Sequence, residues 1–306
     1  MGEEALENTM KRIFALGFFD GVHLGHQALF AACRKMAERE GGLPSAVTFG
    51  NHPDALVFGK EPALINTWQD RLRLFEEYGI ESVEILPFDK KMMTMPWQDF
   101  FTFLKEDLKA GGIVCGNDFC FGYRGEGTPE KLRQACLGAR IPCQVVPEQT
   151  VHGIRISSTY IRSLLEQGDM EEALAFLGHP HVLTGLVKHG KQLGRTIGIP
   201  TANLELPADL VVPRFGVYAC RALVKGKWYP AVTYVGVRPT VSGQGITVEP
   251  WILKFDEDIY GSQITLEFYK FLRPERKFES LQALQAEIRR NAQETLGYFG
   301  ETCENP

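Results

Sequence analysis

The sequence predicts two domains, an α/β domain with a parallel sheet followed by an antiparallel six-stranded β-barrel that ends in a helix. In the first half, short apolar runs alternate with helical patterns between Arg12 and Pro147. In the second half, strand patterns follow one another through Gly-rich turns, with no helix between them. The 306 residues are also enough for about two domains. We place the boundary close to His179, so that the predicted domains are 1–178 and 179–306.

The strands of the first domain are predicted from runs rich in β-branched and aromatic residues. They lie at residues 13–16, 46–49, 83–86, 113–115 and 145–146. Helical patterns fall between them, the later ones at 67–78, 96–109 and 129–139. In the first helix, Leu29, Cys33 and Met36 recur on one face at three- and four-residue spacing. Strands that alternate with helices are typical of a parallel sheet.

Two short helical pieces and then the barrel strands are predicted in the rest of the chain. A Ser-Ser-Thr cluster caps a helix at 157–168, and a second piece ends near Gly178. Strand patterns follow at 181–188, 217–224, 228–235, 246–255 and 264–271. Such strands pair antiparallel, and closing them into a barrel removes exposed edges. Residues 280–295 then form a helix packed outside the barrel.

Composition argues against several classes of protein. A formal charge of −5 and the absence of long Lys/Arg blocks do not suit a protein that mainly binds nucleic acid. The seven cysteines lack CxxC spacing, so neither a disulfide framework nor a zinc site is indicated. No apolar segment reaches the roughly 18 residues that a membrane helix requires, and the N-terminal stretch lacks a signal-peptide core. We therefore expect a cytoplasmic protein with reduced thiols.

Glycines and histidines crowd the start of the first helix, where the chain reads GFFDGVHLGH from Gly17 to His26. Glycines let a backbone approach a phosphate chain closely, and the N-terminus of a helix attracts anions. His23 and His26 are three residues apart and face the same side of the helix. A single histidine at this place is more often a cap or a surface residue. The pair, after a strand and a Gly turn, favours phosphate binding.

This segment resembles the GxFDGxHxGH signature of the bacterial bifunctional riboflavin kinase/FAD synthetases, within the wider HxGH nucleotidyltransferase superfamily. The resemblance implies a Rossmann-like nucleotidyltransferase domain in which His23 and His26 are catalytic. It also implies that residues of the same segment contact the phosphates of ATP, namely Gly17, Phe19, Asp20, Gly21 and Gly25.

Further segments match the same family in order. The loop from Gly116 to Gly125 resembles its DFxFG or NFxFG loop, which implies flavin binding by Asp118, Phe121 and Arg124. Residues 157–162 resemble its ISSTxIR segment, which implies phosphate contacts from Ser158, Thr159 and Arg162. Taken singly, these residues could merely cap a helix or start a turn.

One departure concerns the loop after the second strand. The family usually has TFxPHP, whereas this chain has Asn51 at the first proline position, followed by His52 and Pro53. His52 is a predicted phosphate ligand by resemblance. Because proline restricts the backbone, we expect this loop to be less preorganised without losing activity.

The predicted barrel opens with a Gly-rich segment that runs from Gly190 to Asn203. Its glycines suit a mobile flap over phosphates, although such a stretch taken alone is more often a flexible loop. It resembles the riboflavin kinase signature GxxxGRxxGxPTAN, and it is neither a Walker loop nor a dinucleotide fingerprint. The resemblance implies Mg²⁺ ligation by Thr201 and Asn203, whose side-chain oxygens suit that ion. It implies ATP binding by Gly190, Gly194, Arg195 and Gly198.

Phosphorylation of a hydroxyl also needs a group that accepts its proton. Glu249 occupies the place of the family's catalytic Glu, although a glutamate in an alternating strand pattern often simply faces solvent. Arg273 matches an FLR segment implied to lie on the flavin or nucleotide side. The family's usual Asn and His are replaced by Tyr234 and Trp251, which we interpret as changes in binding rather than chemistry.

The resemblance as a whole implies two ATP- and Mg²⁺-dependent steps. The barrel would phosphorylate riboflavin to FMN, and the N-terminal domain would adenylylate FMN to FAD with release of pyrophosphate. Riboflavin, FMN and ATP are then the expected partners, with no nucleic acid or membrane. Two alternatives stay open: a riboflavin kinase with a degenerate adenylyltransferase domain, and a flavin-binding protein without turnover.

Overall fold

The computed structural model describes residues 11–59, 61–189, 198–240 and 243–301. The described residues form two compact units. The first consists of Arg71–Ser157 and the described residues up to Ala63, and the second of Leu64–Asp70 and the described residues from Ser158 onward. By packing, the two helices before Gly178 thus group with the barrel, whereas the division of domains at residues 178 and 179 stays a prediction from sequence.

A five-stranded parallel sheet lies at the centre of the described part of the first unit, as predicted. Its strands are β1 (Lys11–Leu16), β2 (Gly42–Phe49), β3 (Ser82–Leu86), β4 (Ala110–Gly116) and β5 (Cys143–Val146). Their order is β3-β2-β1-β4-β5, so the direction of winding reverses between β1 and β4. In open α/β sheets, ligands bind outside the carboxyl ends of the strands at such a switch point.

The helices that alternate with these strands are α1 (Leu24–Glu40), α2 (Pro53–Val57), α3 (Trp68–Glu77), α4 (Lys90–Thr94), α5 (Trp97–Thr102) and α6 (Pro129–Ala139). Buried residues of α1 and α3 belong to one hydrophobic cluster of the sheet, and buried residues of α5 and α6 belong to the other. The single helix predicted at 96–109 is instead α5 followed by a π-helical turn at Phe103–Asp107. Along β1, Ile13 packs into one hydrophobic cluster and Phe14 into the other, because successive side chains of a strand point to opposite faces. A small hairpin, β6 (Thr150–Val151) and β7 (Ile154–Arg155), ends the unit.

The second unit contains a closed barrel, which among the described residues has six strands in the order β10-β11-β12-β9-β8-β13. They are β8 (His181–Lys188), β9 (Asn203–Glu205), β10 (Gly216–Val224), β11 (Lys227–Thr240), β12 (Gly243–Ile252) and β13 (Gln263–Pro274). Helices α7 (Ser158–Gln167) and α8 (Met170–Leu177) precede it, and α9 (Leu281–Tyr298) packs outside it through Ala292 and Leu296. The predicted barrel and terminal helix are therefore confirmed. The strand that the sequence patterns missed is β9, only three residues long within the PTAN segment.

None of the helices in the described ranges is both long enough and apolar enough to span a membrane.

Candidate active sites

The histidine pair lies at the first turn of α1, directly after β1 and its loop. His23 is the N-cap of the helix, and its Nδ1 accepts a hydrogen bond from the backbone N–H of His26 at 3.3 Å. The imidazole rings of His23 and His26 are stacked, with their centroids 3.6 Å apart and their planes 14° from parallel. The predicted proximity of these two side chains is therefore confirmed, and both rings lie at the positive end of a 17-residue helix.

The hydrogen bonding assigns the protons of the two rings. Because Nδ1 of His23 accepts a hydrogen bond, its proton is on Nε2. Nδ1 of His26 is buried and has no hydrogen-bond partner among the described residues, so a proton there would lack an acceptor. Burial, reinforced by nearby His23 and Arg71, lowers the pKa of His26 well below 6.5. At neutral pH the ring of His26 is therefore neutral, with its proton on Nε2.

The glycines of this segment are required by packing as well as by any ligand. A Cβ on Gly17 would lie 2.8 Å from the ring of Phe19, and a Cβ on Gly25 would lie 3.1 Å from the ring of His23. Gly21 has a φ of 81°, in the left-handed region that favours glycine. Phe19 is fully buried at a φ of 59°. The turn therefore holds the two histidine rings in place before any phosphate arrives.

Asp20 and Arg71 form a buried ion pair behind this turn. Asp20 is 1% exposed and Arg71 is fully buried, and Nη2 of Arg71 lies 3.4 Å from Oδ1 of Asp20. Asp20 was predicted to contact phosphate, and that role stays a prediction. Arg71 was missed, although a signal existed: it is charged, yet Leu74 and Phe75 follow it at the three- and four-residue spacing of a buried helix face.

The loop after β2 brings His52 to the same edge of the sheet. His52 caps α2, accepts a hydrogen bond from the N–H of Asp54 at 3.1 Å on Nδ1, and packs against the ring of Phe18. Asn51 donates from Nδ2 to the carbonyl of Phe88 at 2.9 Å, and its Oδ1 accepts from the N–H of Phe88 at 3.0 Å. Asn51 thus supplies a constraint of its own where the family pattern has a proline.

The predicted flavin-binding residues follow β4, the neighbour of β1 across the switch point. Asp118 is exposed and forms an ion pair with Arg155 at 2.5 Å. Arg124 is also exposed, and its guanidinium lies 5.1 Å from the centroid of the Tyr123 ring. Phe121 is 7% exposed and its ring packs among Phe119, Phe100 and Trp97. Phe121 therefore belongs to the hydrophobic core in this structure, and flavin contacts from these residues stay a prediction.

The ends of three adjacent parallel strands thus carry the candidate adenylyl-transfer site. The histidine pair follows β1, His52 follows β2 and the Asp118 loop follows β4. Ser158, Thr159 and Arg162 lie in the first turns of α7, which belongs to the second unit. Their predicted phosphate contacts stay a prediction.

In the second unit, strand register sets the predicted kinase residues beside one another. Tyr234 pairs with Glu249 between β11 and β12. Val248 pairs with Leu204 in the antiparallel ladder with β9, so the next position sets Asn203 opposite Glu249. Directly opposite residues share a face, with Cβ atoms about 5 Å apart. Asn203, Glu249 and Tyr234 therefore lie on one face of the barrel wall.

A pocket of about 450 Å³ lies beside β12 and is lined by Pro250 and Ile252 of that strand. Thr201 lines it, and the N–H of the next residue, Ala202, donates to the carbonyl of Pro250 at 2.9 Å. The opposite wall is the turn from Asp256 to Tyr260, in which Oδ1 of Asp258 accepts from the N–H of Tyr260 at 2.9 Å. Oε1 of Glu249 accepts from the hydroxyl of Thr247 at 3.0 Å. Thr201 and the strand that carries Glu249 thus border a common cavity.

The Gly-rich segment is described in part. Gly190, Gly194 and Arg195 lie outside the described residues. Gly198 has a φ of 68°, which suits glycine. The contacts of this segment with ATP stay a prediction.

Arg273 anchors the terminal helix. Its Nε donates to Oδ1 of Asn291 at 3.0 Å and lies 3.4 Å from Oε1 of Glu287, both on α9. Burial alone would raise the pKa of the Glu287 carboxyl, but Arg290, Arg276 and Arg273 together hold it below its usual range. A role of Arg273 on the flavin side stays a prediction, and the cluster around Glu287 was not found from sequence.

The two aromatic residues that depart from the family pattern, Tyr234 and Trp251, also lie where α9 contacts the barrel. Tyr234 and Trp251 pack against the hydrophobic cluster that joins β10 and β11 to α9. The Tyr234 hydroxyl donates to Glu275 and passes directly over Gly236, where a Cβ would collide with it. Both aromatic rings therefore help hold the terminal helix on the face that carries Glu249.

Known proteins resemble both halves of the chain. The sequence profile of the FAD synthetase family matches residues 5–160, and that of the riboflavin kinase family matches residues 177–299. The bifunctional riboflavin kinase/FMN adenylyltransferase of Bacillus subtilis is 36% identical over 298 residues, which cover 96% of this chain and 94% of that protein. The enzyme of the same description from Escherichia coli is 35% identical over 295 residues, covering 95% and 93%.

A crystal structure described as a macrolide-efflux protein from Streptococcus pneumoniae has the same fold. It superposes with a TM-score of 0.85 at 30% identity and covers 94% of this chain and 96% of its own. The similarity to the bifunctional enzymes extends through both units. The chain belongs to the bifunctional riboflavin kinase/FMN adenylyltransferase family.

Proposed function

We propose that this chain phosphorylates riboflavin to FMN in its barrel and adenylylates FMN to FAD in its first unit, with ATP as the co-substrate of both steps. For the second step, the observation that carries the proposal is the stacked pair of imidazoles at the start of α1. For the first step, it is the register that sets Glu249 opposite Asn203, two residues after Thr201.

In the kinase reaction, the 5′-hydroxyl of the ribityl chain attacks the γ-phosphorus of ATP, and the bond from that phosphorus to the β-phosphate oxygen breaks. Glu249 accepts the hydroxyl proton, since its carboxylate lies on the face shared with Asn203. Thr247 donates to one oxygen of this carboxylate and so orients it. The products are FMN and ADP.

Thr201 and Asn203 fit a role in holding Mg²⁺. Their hydroxyl and amide oxygens are the hard ligands that this ion prefers, and Mg²⁺ in kinases takes its other ligands from phosphates and water. When bound, Mg²⁺ would reduce the negative charge on the polyphosphate.

In the adenylyl transfer, a phosphate oxygen of FMN attacks the α-phosphorus of ATP and pyrophosphate leaves. The attacking group is already an anion, so the protein needs to orient the two phosphates and stabilise the developing charge. His23 and His26 do this by donating from Nε2–H, because Nδ1 of the first is engaged and Nδ1 of the second is buried. His52 offers the same nitrogen, since its Nδ1 also accepts a backbone hydrogen bond.

The cellular location and the substrates of the enzyme follow from the proposed activity. We infer that the enzyme works in the cytoplasm on riboflavin, FMN and ATP. The formal charge of −5 gives no support to a nucleic-acid partner.

The test is to incubate the full chain with riboflavin, ATP and Mg²⁺ and to separate the flavins by chromatography over time. We expect FMN to appear before FAD. His26→Ala should make FMN without FAD, while Glu249→Ala should make neither from riboflavin but should still convert added FMN to FAD. If the unaltered chain makes FMN alone, the adenylyltransferase assignment is wrong. If it makes neither flavin product, the alternative of a flavin-binding protein without turnover is favoured.

A further inference from the structure

We propose that Arg71 is a positioning residue for the adenylyl transfer, because its guanidinium fixes the turn between β1 and α1 that carries the histidine pair. This inference rests on the proposed function of the first unit. It concerns a residue that none of the sequence motifs includes.

The contacts of Arg71 converge on that turn. Nη1 donates to the carbonyl of Phe18 at 3.2 Å, and Nη2 donates to Oδ1 of Asp20 at 3.4 Å. The guanidinium carbon lies 4.7 Å from the centroid of the Phe18 ring. The hydroxyl of Thr48 donates to the same carbonyl at 3.0 Å, which ties the turn to β2 as well.

Stability alone does not explain a charge at this place. Arg71 is the largest fully buried side chain of the described residues, and Asp20 is 1% exposed. Burying two charges costs several kcal/mol per ion, so replacing such a pair by apolar side chains is often neutral or stabilising. A buried ion pair of this kind therefore indicates that a particular geometry is needed, in this case the backbone geometry of residues 18–20.

The position of the turn affects the position of His26, because Phe19 in the turn contacts the His26 ring. The ring of Phe19 is buried and meets the ring of His26 edge to face, with centroids 5.2 Å apart. Gly17 leaves room for that ring on the other side. Movement of the carbonyl of Phe18 would therefore displace Phe19 and then His26.

Arg71 also acts on His26 through its charge. The titratable and charged groups that act on His26 are His23 from α1 and Arg71 from α3. Burial, His23 and Arg71 each lower the pKa of His26. Arg71 thus helps keep the imidazole neutral, with its proton on Nε2.

The test compares Arg71→Lys and Arg71→Met with Arg73→Met. Arg73 is a matched control because it lies on the same helix, one turn from Glu77, and its side chain is 35% exposed. Adenylylation of FMN and phosphorylation of riboflavin are measured on each full-length variant. The pKa of His26 is measured by NMR with ¹³C-labelled histidine, the signal being assigned with His26→Gln.

We expect Arg71→Met to lower kcat for adenylylation about 100-fold, the loss typical of a misplacement of about 1 Å, with KM for FMN changed much less. The pKa of His26 should rise. Arg71→Lys, which keeps the charge but loses the fork of donors, should lower kcat while leaving the pKa of His26 closer to that of the unaltered chain. Riboflavin phosphorylation by both variants and all properties of Arg73→Met should stay unchanged.

Several results would overturn the inference. Unchanged adenylylation by Arg71→Met would do so while leaving the proposed function intact, because FAD would still be made. A lower kcat with the same His26 pKa in all variants would make Arg71 merely structural. If Arg71→Met does not fold, Arg71→Lys together with Asp20→Asn decides the question, and normal kcat in both would refute it. Failure of the unaltered chain to make FAD would instead refute the proposed function.

Discussion

Replacing Asn51 by alanine should weaken adenylyl transfer without affecting riboflavin phosphorylation. The side chain of Asn51 joins the loop after β2 to Phe88 after β3, through one donated and one accepted hydrogen bond. Each such bond contributes about 0.5–1.5 kcal/mol, and exposure to solvent favours the lower half of that range. We therefore expect Asn51→Ala to lower the free energy that stabilises the ordered loop by about 1–2 kcal/mol. This corresponds to a factor of about 5–30 in the ratio of ordered to disordered loop.

The assay is the initial rate of FAD formation from FMN and ATP, with FMN formation from riboflavin on the same chain as internal control. Because the loop also carries His52, its disorder should appear as a fall in kcat/KM for FAD formation by up to that factor. Asn51→Pro, which introduces the family's residue, replaces the hydrogen bonds by backbone restriction and should lose less than Asn51→Ala. Equal kcat/KM for Asn51→Ala and the unaltered chain would refute the reasoning that this side chain substitutes for the proline.

Other predictions concern the rest of the chain. Gly25→Ala should slow FAD formation alone, since its Cβ would lie 3.1 Å from the His23 ring; normal rates would show that this ring can shift harmlessly. Glu249→Gln should lower kcat of the kinase step by about 100-fold or more, as for loss of a general base, with riboflavin binding by fluorescence retained. His181 is buried, and burial and His179 lower its pKa from 6.5 to about 3. Between pH 6.5 and about 3, His181 is therefore protonated in the unfolded chain but neutral in the folded barrel. The free energy of unfolding falls as the pH drops below 6.5, by about 2 kcal/mol at pH 5. His181→Leu should remove this fall in urea unfolding, and an unchanged pH dependence would contradict it.

The sequence predicted the fold well because both halves follow simple periodic patterns. Alternating strands and helices indicated a parallel sheet, and the structure confirms it. By contrast, β9 was missed because three residues are too few to show a period of two. The helix predicted at 96–109 contains a π-helical turn, and such a turn has no residue pattern from which it could be predicted.

Motifs supplied the residues that are predicted to touch a ligand, but not the residues that support them. His23 and His26 stand out by spacing within one turn of helix. Arg71 lies 51 positions from Asp20 along the chain, so their pairing depends on how α3 packs against the turn. Asn51 and Phe88 are 37 positions apart and meet because β2 and β3 are neighbours in the sheet. Such pairings are products of the tertiary fold, and the local pattern around Arg71 indicates only that its side chain lies on a buried helix face.

The residues that depart from the family pattern bear on whether either site is a relic. A site without function has no need to keep each new polar group paired or each new ring packed. Here the amide of Asn51 is hydrogen-bonded on both sides, the hydroxyl of Tyr234 reaches Glu275, and the ring of Trp251 packs beneath α9. Each replacement thus preserves the order of the segment that carries His52 or Glu249. This is the pattern of sites whose geometry is still needed, and it favours two working activities over a kinase with a degenerate partner domain.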